Sequence, residues 1–243
     1  MKDYPLKIRS FGENAMLVEW PNEVSESILN EVLQFEKFVK AKLPQDFEFV
    51  PAYNSLTLIN FSGIKNQQEL GNNLLDWHKN LPISDSVERF LWKLPVCYDL
   101  EFGLDLVETS ESLGFSNEEL IAEHTSHQYT VYGIGFLPGF MYLGGLPKTL
   151  ETVRKEEPRL KVKKGSVGLA GKQTGIYPQE SPGGWNIIGN CPIPIFNAQN
   201  EEPCLIRVGD KVQFQSISKA EYDLYKIKGE VGIFNPEKIG LDV

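Results

Sequence analysis

Residues 133–147 read GIGFLPGFMYLGGLP, a run of glycine, proline and aromatic residues without helical spacing. Glycine permits tight turns and close backbone approach, and proline stiffens the chain between them. Similar short apolar runs between glycines and prolines occupy 129–136, 166–171, 186–189, 193–196, 205–208 and 211–214. Many short strands with frequent turns predict a closed or nearly closed β-barrel within residues 89–243. Capping boxes predict two helices in this part, beginning at Ser116 and Ser218.

The first 88 residues have a different pattern, in which strands and helices alternate. Strands are expected at 6–9, 15–20, 47–50 and 56–61. Apolar residues recur with helical spacing at Ile28, Val32, Phe35 and Val39, and again at Leu70, Leu74 and Trp77. Together with an alternating strand at 90–96, the order is ββαββαβ, which predicts an α+β domain of one sheet and two helices at 1–88. The last strand can belong to either half of the chain.

The composition excludes several classes of protein. The 243 residues carry a net charge of −9, which disfavours binding to nucleic acid or to an anionic membrane. Cys97, Cys191 and Cys204 are widely spaced without a CxxC pair, so neither a disulfide framework nor a cysteine zinc site is expected. No apolar run has the length of a signal-peptide core or a membrane span. We therefore expect a soluble, cytoplasmic protein.

The segment from Gly133 to Trp185 is the candidate small-molecule site. Phe136, Phe140 and Tyr142 can supply the rigid apolar wall that is usual in ligand pockets. Composition alone equally allows a tightly packed barrel corner. A dinucleotide fingerprint is excluded, because Pro138 follows the first two glycines and no helical pattern comes after it.

Residues 165–173, GSVGLAGKQ, superficially look like a phosphate-binding loop. The spacing differs by one residue, no Ser or Thr follows Lys172, and prolines come next instead of a helix. We expect a strand that delivers Lys172 and Gln173 to a turn. There Lys172 can pair with a carboxylate or phosphate, or be an ordinary solvated lysine.

Residues 181–185, SPGGW, predict a turn in which backbone N–H groups converge on an anion. Ser181 is expected to donate a hydrogen bond and not to act as a nucleophile, because no GxSxG motif surrounds it. The basic cluster of Arg159 and the lysines at 161, 163 and 164 has two interpretations. It is either a solvated strand face or a guide for an acidic substrate, with Arg159 able to hold a carboxylate through two hydrogen bonds.

His124 and His127 lie at the end of a predicted helix. Their spacing is not the HExxH of zinc peptidases, so no zinc is expected. The helix dipole by itself favours a histidine at this position. His124 is nevertheless a candidate for proton transfer or ligand binding, because the chain turns from here into residues 132–140.

Several separated motifs, taken together, are more specific than any of these signals. They are Tyr132-x-x-Gly135-Phe-x-Pro-Gly-Phe140-x-Tyr-Leu-Gly-Gly-Leu146, Pro158-Arg159, Gly165-Ser-Val, Gln173-Thr-Gly-Ile-Tyr-Pro178 and Ser181-Pro-Gly-Gly-Trp185. In this order they resemble the allophanate hydrolase subunit 1 family over nearly the whole chain. That family includes the B-type subunit of prokaryotic 5-oxoprolinase, the sporulation-kinase inhibitors and part of the carboxyltransferase domain of urea amidolyase.

The resemblance implies an N-terminal α+β domain, a C-terminal cyclophilin-like β-barrel and a heteromeric enzyme. The implied partners are a C-type protein of the same enzyme, with a similar barrel, and an A-type protein. Together they would open 5-oxoproline (pyroglutamate) to L-glutamate at the expense of ATP, with Mg-ATP bound by this chain or by a partner. No biotin attachment is expected on this chain, and the chain alone is expected to be inactive.

The family's motif positions also imply the site residues. The catalytic candidates are His124, Arg159 and Gln173. The substrate-binding candidates are Tyr132, Phe136, Pro138, Gly139, Lys172, Tyr177, Ser181, Gly183, Gly184 and Trp185. No metal ligand is implied. The chain departs from the family at Lys163-Lys164, where Pro-Ala is usual, at Lys172, where a small residue is usual, and at Asp99, where glycine is common.

Two other functions stay open on the sequence. The inhibitor members of the family suggest binding to the dimerisation and phosphotransfer domain of a sensor histidine kinase. The carboxyltransferase members suggest one half of a biotin-dependent system that acts on urea or a similar amide.

Overall fold

The computed structural model describes residues 4–82 and 87–241. The chain divides into two compact units, 1–88 and 89–242. Among the described residues, no helix is both long enough and apolar enough to cross a membrane.

The N-terminal unit is a four-stranded antiparallel sheet with two helices. In sheet order, the strands are β1 (Lys7–Ser10), β2 (Ala15–Glu19), β4 (Ser55–Asn60) and β3 (Phe47–Ala52). The helices are α1 (Glu26–Lys40) and α2 (Gln67–Lys79). Their apolar stripes pack into one core with the sheet residues Met16, Val18, Leu56 and Leu58. The predicted α+β character of this part is confirmed.

A buried carboxylate ties the two helices of this unit together. Glu31 of α1 accepts a hydrogen bond on Oε1 from Trp20 Nε1 at 2.9 Å and makes a 2.7 Å contact with His78 Nε2 of α2. The ring of His78 lies edge-on to both Trp20 and Phe35. No sequence motif pointed to His78, and the structure gives it this packing role.

The C-terminal unit is built on an eight-stranded mixed sheet. In sheet order, the strands are β12 (Asn186–Asn190), β9 (Ser166–Ala170), β10 (Gln173–Ile176), β7 (Met141–Gly144), β6 (Gln128–Ile134), β13 (Lys211–Ser216), β5 (Arg89–Val96) and β14 (Glu237–Leu241). A separate two-stranded sheet pairs β8 (Arg159–Val162) with β11 (Ser181–Gly183). The helices are α3 (Leu106–Leu113), α4 (Asn117–Ser126) and α5 (Lys219–Glu230), with a short 3₁₀ turn at Lys148–Leu150. The sequence did not predict α3, β7, β10, β11 or β14.

The edge strand β12 meets the chain just after β5, the second-last strand at the other end of the sheet, at a single bridge. Cys97, which follows β5, exchanges two backbone hydrogen bonds of 2.9 Å with Asn190, the last residue of β12. Continuous strand pairing does not close the ring. The β-rich character is confirmed, whereas the closed cyclophilin-like barrel is not confirmed and stays a prediction.

Strand β5 belongs to the C-terminal sheet and does not complete a ββαββαβ domain. It pairs in parallel with β13 and antiparallel with β14. The buried carboxylate of Asp210 holds the start of the strand, accepting from the Phe90 amide and from Trp92 Nε1, both at 2.9 Å. Long-range pairing of this kind decides which sheet a strand joins, and local alternation does not reveal it.

Two predicted strands, 193–196 and 205–208, are wrong, because both segments are irregular. Pro192 and Pro194 lack the N–H donors that a sheet ladder needs. The amide of Arg207 donates instead to Asp210 Oδ2 at 3.0 Å. Both predicted capping boxes are confirmed, at the first turns of α4 and α5.

Candidate functional site

The four strands β9, β10, β7 and β6 divide the candidate residues between two faces of the sheet. Successive side chains of a strand point to opposite faces. In β10, Thr174 and Ile176 face the main core, where Thr174 reaches His124. Gln173 and Gly175 therefore belong to the outer face, and Tyr177 follows them there in a separate apolar cluster.

The outer face carries four aromatic side chains, Phe140, Tyr142, Tyr177 and Trp185, which we call the aromatic face. Phe140 lies at its centre. The centroid of its ring is 5.1 Å from that of Tyr142 and 5.4 Å from those of Tyr177 and Trp185, all in edge-to-face geometry. Phe140, Tyr177 and Trp185 are buried, while Tyr142 is half-buried. Mutual edge-to-face packing fixes the orientation of these rings.

Glycines beneath the aromatic rings allow them to lie directly on the sheet. A Cβ at Gly175 would stand 3.0 Å from the Trp185 ring, and one at Gly168 would stand 3.1 Å from Trp185 Cβ. A Cβ at Gly144 would come within 2.7 Å of the ring of Tyr132, which sits in a β-bulge of β6. A larger side chain at Gly144 would therefore clash with Tyr132, and one at Gly168 or Gly175 would force its neighbours to shift.

The loop 135–139 forms the rim of the aromatic face and holds a strained residue. Phe136 has a φ of 67°, a region that bulky side chains rarely adopt. Its ring is 66% exposed and contacts Phe140 edge-on at 5.7 Å. Gly139 has a φ of 81° and lies so close to Phe196 that a Cβ would stand 2.4 Å from the Phe196 Cβ. Strained backbone with an exposed aromatic ring is common at ligand and partner contacts.

Arg159 holds a carboxylate through two hydrogen bonds, but the carboxylate belongs to the protein itself and not to a substrate. It pairs with Asp105 at 2.6 and 2.8 Å, and Lys155 joins the same carboxylate at 2.9 Å. The amide of Ile187 donates to Asp105 Oδ2 at 2.7 Å. Burial alone would raise the pKa of Asp105, but the hydrogen bonds from Arg159, Ile187 and Lys155 outweigh it and lower the pKa. The predicted use of Arg159 to bind an acidic substrate does not fit this pairing.

The SPGG segment is a strand and not an anion-binding turn, so that prediction is wrong. Ser181 and Gly183 pair with Val162 and Arg159. The Ser181 hydroxyl donates only to the adjacent Pro182 carbonyl, at 3.2 Å. Gly183 instead leaves room for the Tyr177 hydroxyl, which would stand 2.3 Å from an added Cβ. The segment therefore packs against Tyr177 of the aromatic face.

His124 lies in the core, in a chain of hydrogen bonds. Its Nδ1 is 2.7 Å from the Tyr98 hydroxyl, and its Nε2 is 2.9 Å from Thr174 Oγ1. Because Thr174 donates its proton to the Gly168 carbonyl at 3.1 Å, Nε2 must donate to Thr174 and Nδ1 must accept from Tyr98. Both ring nitrogens of a neutral imidazole are thus engaged.

The surroundings of His124 hold it in the neutral form. Burial, aided by the nearby His127, lowers the pKa of His124 to about 3. The side chain is 0% exposed. The predicted proton transfer from His124 to a substrate does not fit, because no substrate can reach a side chain enclosed on the core side of the sheet.

The candidates Lys172, Gln173 and Tyr177 lie at opposite ends of β10. Lys172 is exposed in the turn between β9 and β10, and Gln173 opens β10. Tyr177 follows the other end of the strand, about 13 Å away at the usual rise per residue. The candidates gathered at or under the aromatic face are Tyr132, Phe136, Gly139, Tyr177, Gly183 and Trp185. Pro138 lies in the rim loop, and Gly184 lies next to Lys155 and Pro158. Asp105 and Lys155 were missed, since neither lies in a recognisable motif.

Comparison with known proteins gives consistent matches. Residues 6–206 match the family described as carboxyltransferase domain, subdomain C and D. The B-type subunit of 5-oxoprolinase from Bacillus subtilis (strain 168) is 36% identical over 237 residues, which cover 90% of this chain and 96% of that protein. The B-type subunit of 5-oxoprolinase from Escherichia coli O157:H7 is 34% identical, with 84% of this chain and 92% of that protein covered.

A solved structure matches as well. The crystal structure of TTHA0988 superposes with a TM-score of 0.72 at 33% identity and covers 87% of this chain. This chain spans 40% of that longer chain. Since the two bacterial relatives align along nearly their whole length, and the family match includes the aromatic face and its rim, the chain belongs to the family of 5-oxoprolinase B-type subunits, which are built on a carboxyltransferase-type domain.

Proposed function

We propose that this chain is the B-type subunit of an ATP-dependent 5-oxoprolinase, which hydrolyses 5-oxoproline to L-glutamate together with partner subunits. The observation that carries the proposal is the 36% identity to the Bacillus subtilis protein over 90% of this chain and 96% of that protein. Both bacterial relatives are named as subunits, which implies a complex of several chains. We propose an A-type protein and a C-type cyclophilin-like protein of the same enzyme as the partners.

The geometry of the aromatic face supports a shared site. The face is apolar and rigid, and Phe136 at its rim is strained and exposed. The charged groups Arg159 and Lys155 beside it are paired with Asp105, and Lys155 is paired with Glu108 as well. Such a surface can position a small ring or a partner's side chains. The charged catalytic groups would then come from another protein of the complex.

ATP would supply the activation of the lactam, because a phosphorylated amide oxygen makes the adjacent carbon a far better electrophile. The GSVGLAGKQ segment does not form a phosphate-binding loop, because it is a strand and turn without a following helix. The described residues also contain no group of three His, Cys, Asp or Glu side chains placed to hold a metal ion. We therefore propose that ATP is bound by a partner protein.

We expect glutamate to form when the purified chain is mixed with its A-type and C-type partners, 5-oxoproline and ATP. The chain alone should form none, because the charged groups beside the aromatic face, Arg159 and Lys155, are engaged by Asp105. Glutamate can be measured by chromatography, with ATP omission as the control. A properly assembled three-protein mixture that forms no glutamate would refute the proposal, and robust glutamate formation by the isolated chain would refute the shared site.

Phe136→Gly is expected to lower the activity of the assembled enzyme by at least about tenfold, the effect of losing one well-packed aromatic anchor. The free energy of unfolding of the chain should stay within about 1 kcal/mol of the wild type, because relief of the positive φ offsets the lost contact with Phe140. Both quantities can be measured on one preparation, by glutamate formation and urea unfolding. Tyr53→Gly is the control, since Tyr53 also has a positive φ, 52°, in the N-terminal unit. Full activity of Phe136→Gly would remove Phe136 from the site.

A carboxyltransferase is the second candidate, because the matching family is described as a carboxyltransferase domain. A biotin carrier and a biotin carboxylase would then be the partners, and urea or a similar amide the substrate. Carboxyl transfer from carboxybiotin with no glutamate formation would favour it. Binding to a sensor histidine kinase stays a prediction from the sequence.

A further inference from the structure

A cavity of about 670 Å³ lies beside α5. It is bounded by one side of α5, by the turn at Lys163 and Lys164, and by residues 190–194. The α5 side chains that line it include Lys219, Tyr222 and Lys226, which share one face of the helix. A volume of this size is typical of small-molecule sites.

The floor of the α5 cavity is polar, buried and held in place. Tyr222 donates from its hydroxyl to Asn190 Oδ1 at 3.0 Å, and Asn190 Nδ2 donates to the Lys164 carbonyl at 3.0 Å. Gly165 has a φ of 82°, and a Cβ there would stand 2.3 Å from the Cys191 carbonyl oxygen. The lysine turn is therefore fixed against the floor of the cavity, which is preformed.

The charges around the α5 cavity favour an anion. Four lysines and three carboxylates line it, in a chain whose net charge is −9. Lys219 already pairs with two of the carboxylates, Glu101 and Asp223. Lys163, Lys164 and Lys226 have no ion-pair partner within residues 4–82 and 87–241. With four lysines against the three carboxylates Glu101, Asp223 and Glu230, the lining has a net charge of +1, which gives a local positive potential in an acidic chain.

We propose that the α5 cavity binds a small organic anion with at least two negative charges, either a phosphate ester or a polycarboxylate. Lys163, Lys164 and Lys226 contact the charged groups, and Tyr222 with Asn190 forms the polar floor. This site goes beyond the proposed oxoprolinase activity, and its test does not require the partner proteins.

Calorimetric titration of the full chain with inorganic pyrophosphate and with citrate, at matched ionic strength, tests the proposal. We expect at least one probe to bind and K163Q/K164Q to weaken that binding by about tenfold or more, as loss of charge-assisted contacts does. K226Q should weaken it in the same direction. Tighter binding of pyrophosphate identifies a phosphate ester as the natural class, and tighter binding of citrate identifies a polycarboxylate.

K161Q is the matched control. Lys161 is an exposed lysine two residues from the pair, outside the cavity, with Glu180 at 3.5 Å. It should change the affinity by less than about twofold, and circular dichroism should show every variant folded. Absence of binding by both probes at millimolar concentration overturns the proposal. An equal effect of K161Q and K163Q/K164Q also overturns it, because the attraction would then be diffuse surface charge.

Discussion

Asp105→Ala is expected to lower the free energy of unfolding of the C-terminal unit by about 3 kcal/mol, the scale for breaking a buried ion pair. The carboxylate accepts hydrogen bonds from Arg159, Lys155 and the buried amide of Ile187. Arg159 and Lys155 can turn to solvent when the carboxylate is lost, but the Ile187 amide cannot and remains unsatisfied. Urea unfolding of the variant measures this cost.

Glu108→Ala provides the control within the same cluster. Glu108 binds the same Lys155 at 2.8 Å, but its side chain is 76% exposed. Exposed ion pairs contribute about 0–1 kcal/mol, so this variant should unfold at nearly the wild-type urea concentration. If the two variants lost similar amounts of stability, Asp105 would not be the organising group of the cluster.

Lowering the pH from 8 to 5 is expected to cost about 2 kcal/mol of stability through His124 alone. The pKa of His124 falls from 6.5 to about 3 on folding. Between these values the unfolded chain binds a proton that the folded chain does not, so stability is complete above pH 6.5 and declines as the pH falls toward 3. The pKa of Asp105 is lowered from 3.8, so this carboxyl group affects stability only well below pH 5.

The comparison with His124→Gln isolates this contribution. Glutamine can still hydrogen-bond within the core but does not titrate, so the variant should lose less stability than the wild type between pH 8 and 5. Urea unfolding at both pH values gives the two differences. Equal pH dependence in the two proteins would show that His124 is protonated in the fold or accessible to water.

The sequence predicted the local elements of the N-terminal unit well, because each carries its own signal. The stripe Ile28, Val32, Phe35 and Val39 is buried along α1 as expected. Residues 193–196 were wrongly predicted as a strand. The run is apolar, but its prolines lack the backbone N–H groups that pair one strand with another. Helix α3 gave no signal, because its start depends on Asp105, whose partners lie far away in the chain.

The candidate site was predicted in part. Motif positions led to Phe136, Tyr177 and Trp185, and the structure gathers these aromatic residues on or beside one face. The sequence assigned His124 and Arg159 to chemistry, whereas the structure shows both with internal partners. Sequence gives the type of a side chain but not its partners. Whether an arginine faces a substrate or an internal carboxylate is decided by contacts across dozens of residues.

The glycines beneath Tyr132 and Trp185 bear on how this surface can change. Rings that rest on bare backbone have little rotational freedom left to lose when a ligand arrives, so binding costs little side-chain entropy there. The same contact makes the sheet beneath the rings hard to change, because a side chain added there would press on the ring above it. Adaptation to a different ligand is therefore expected to occur in the 135–139 loop, while the sheet beneath stays constant.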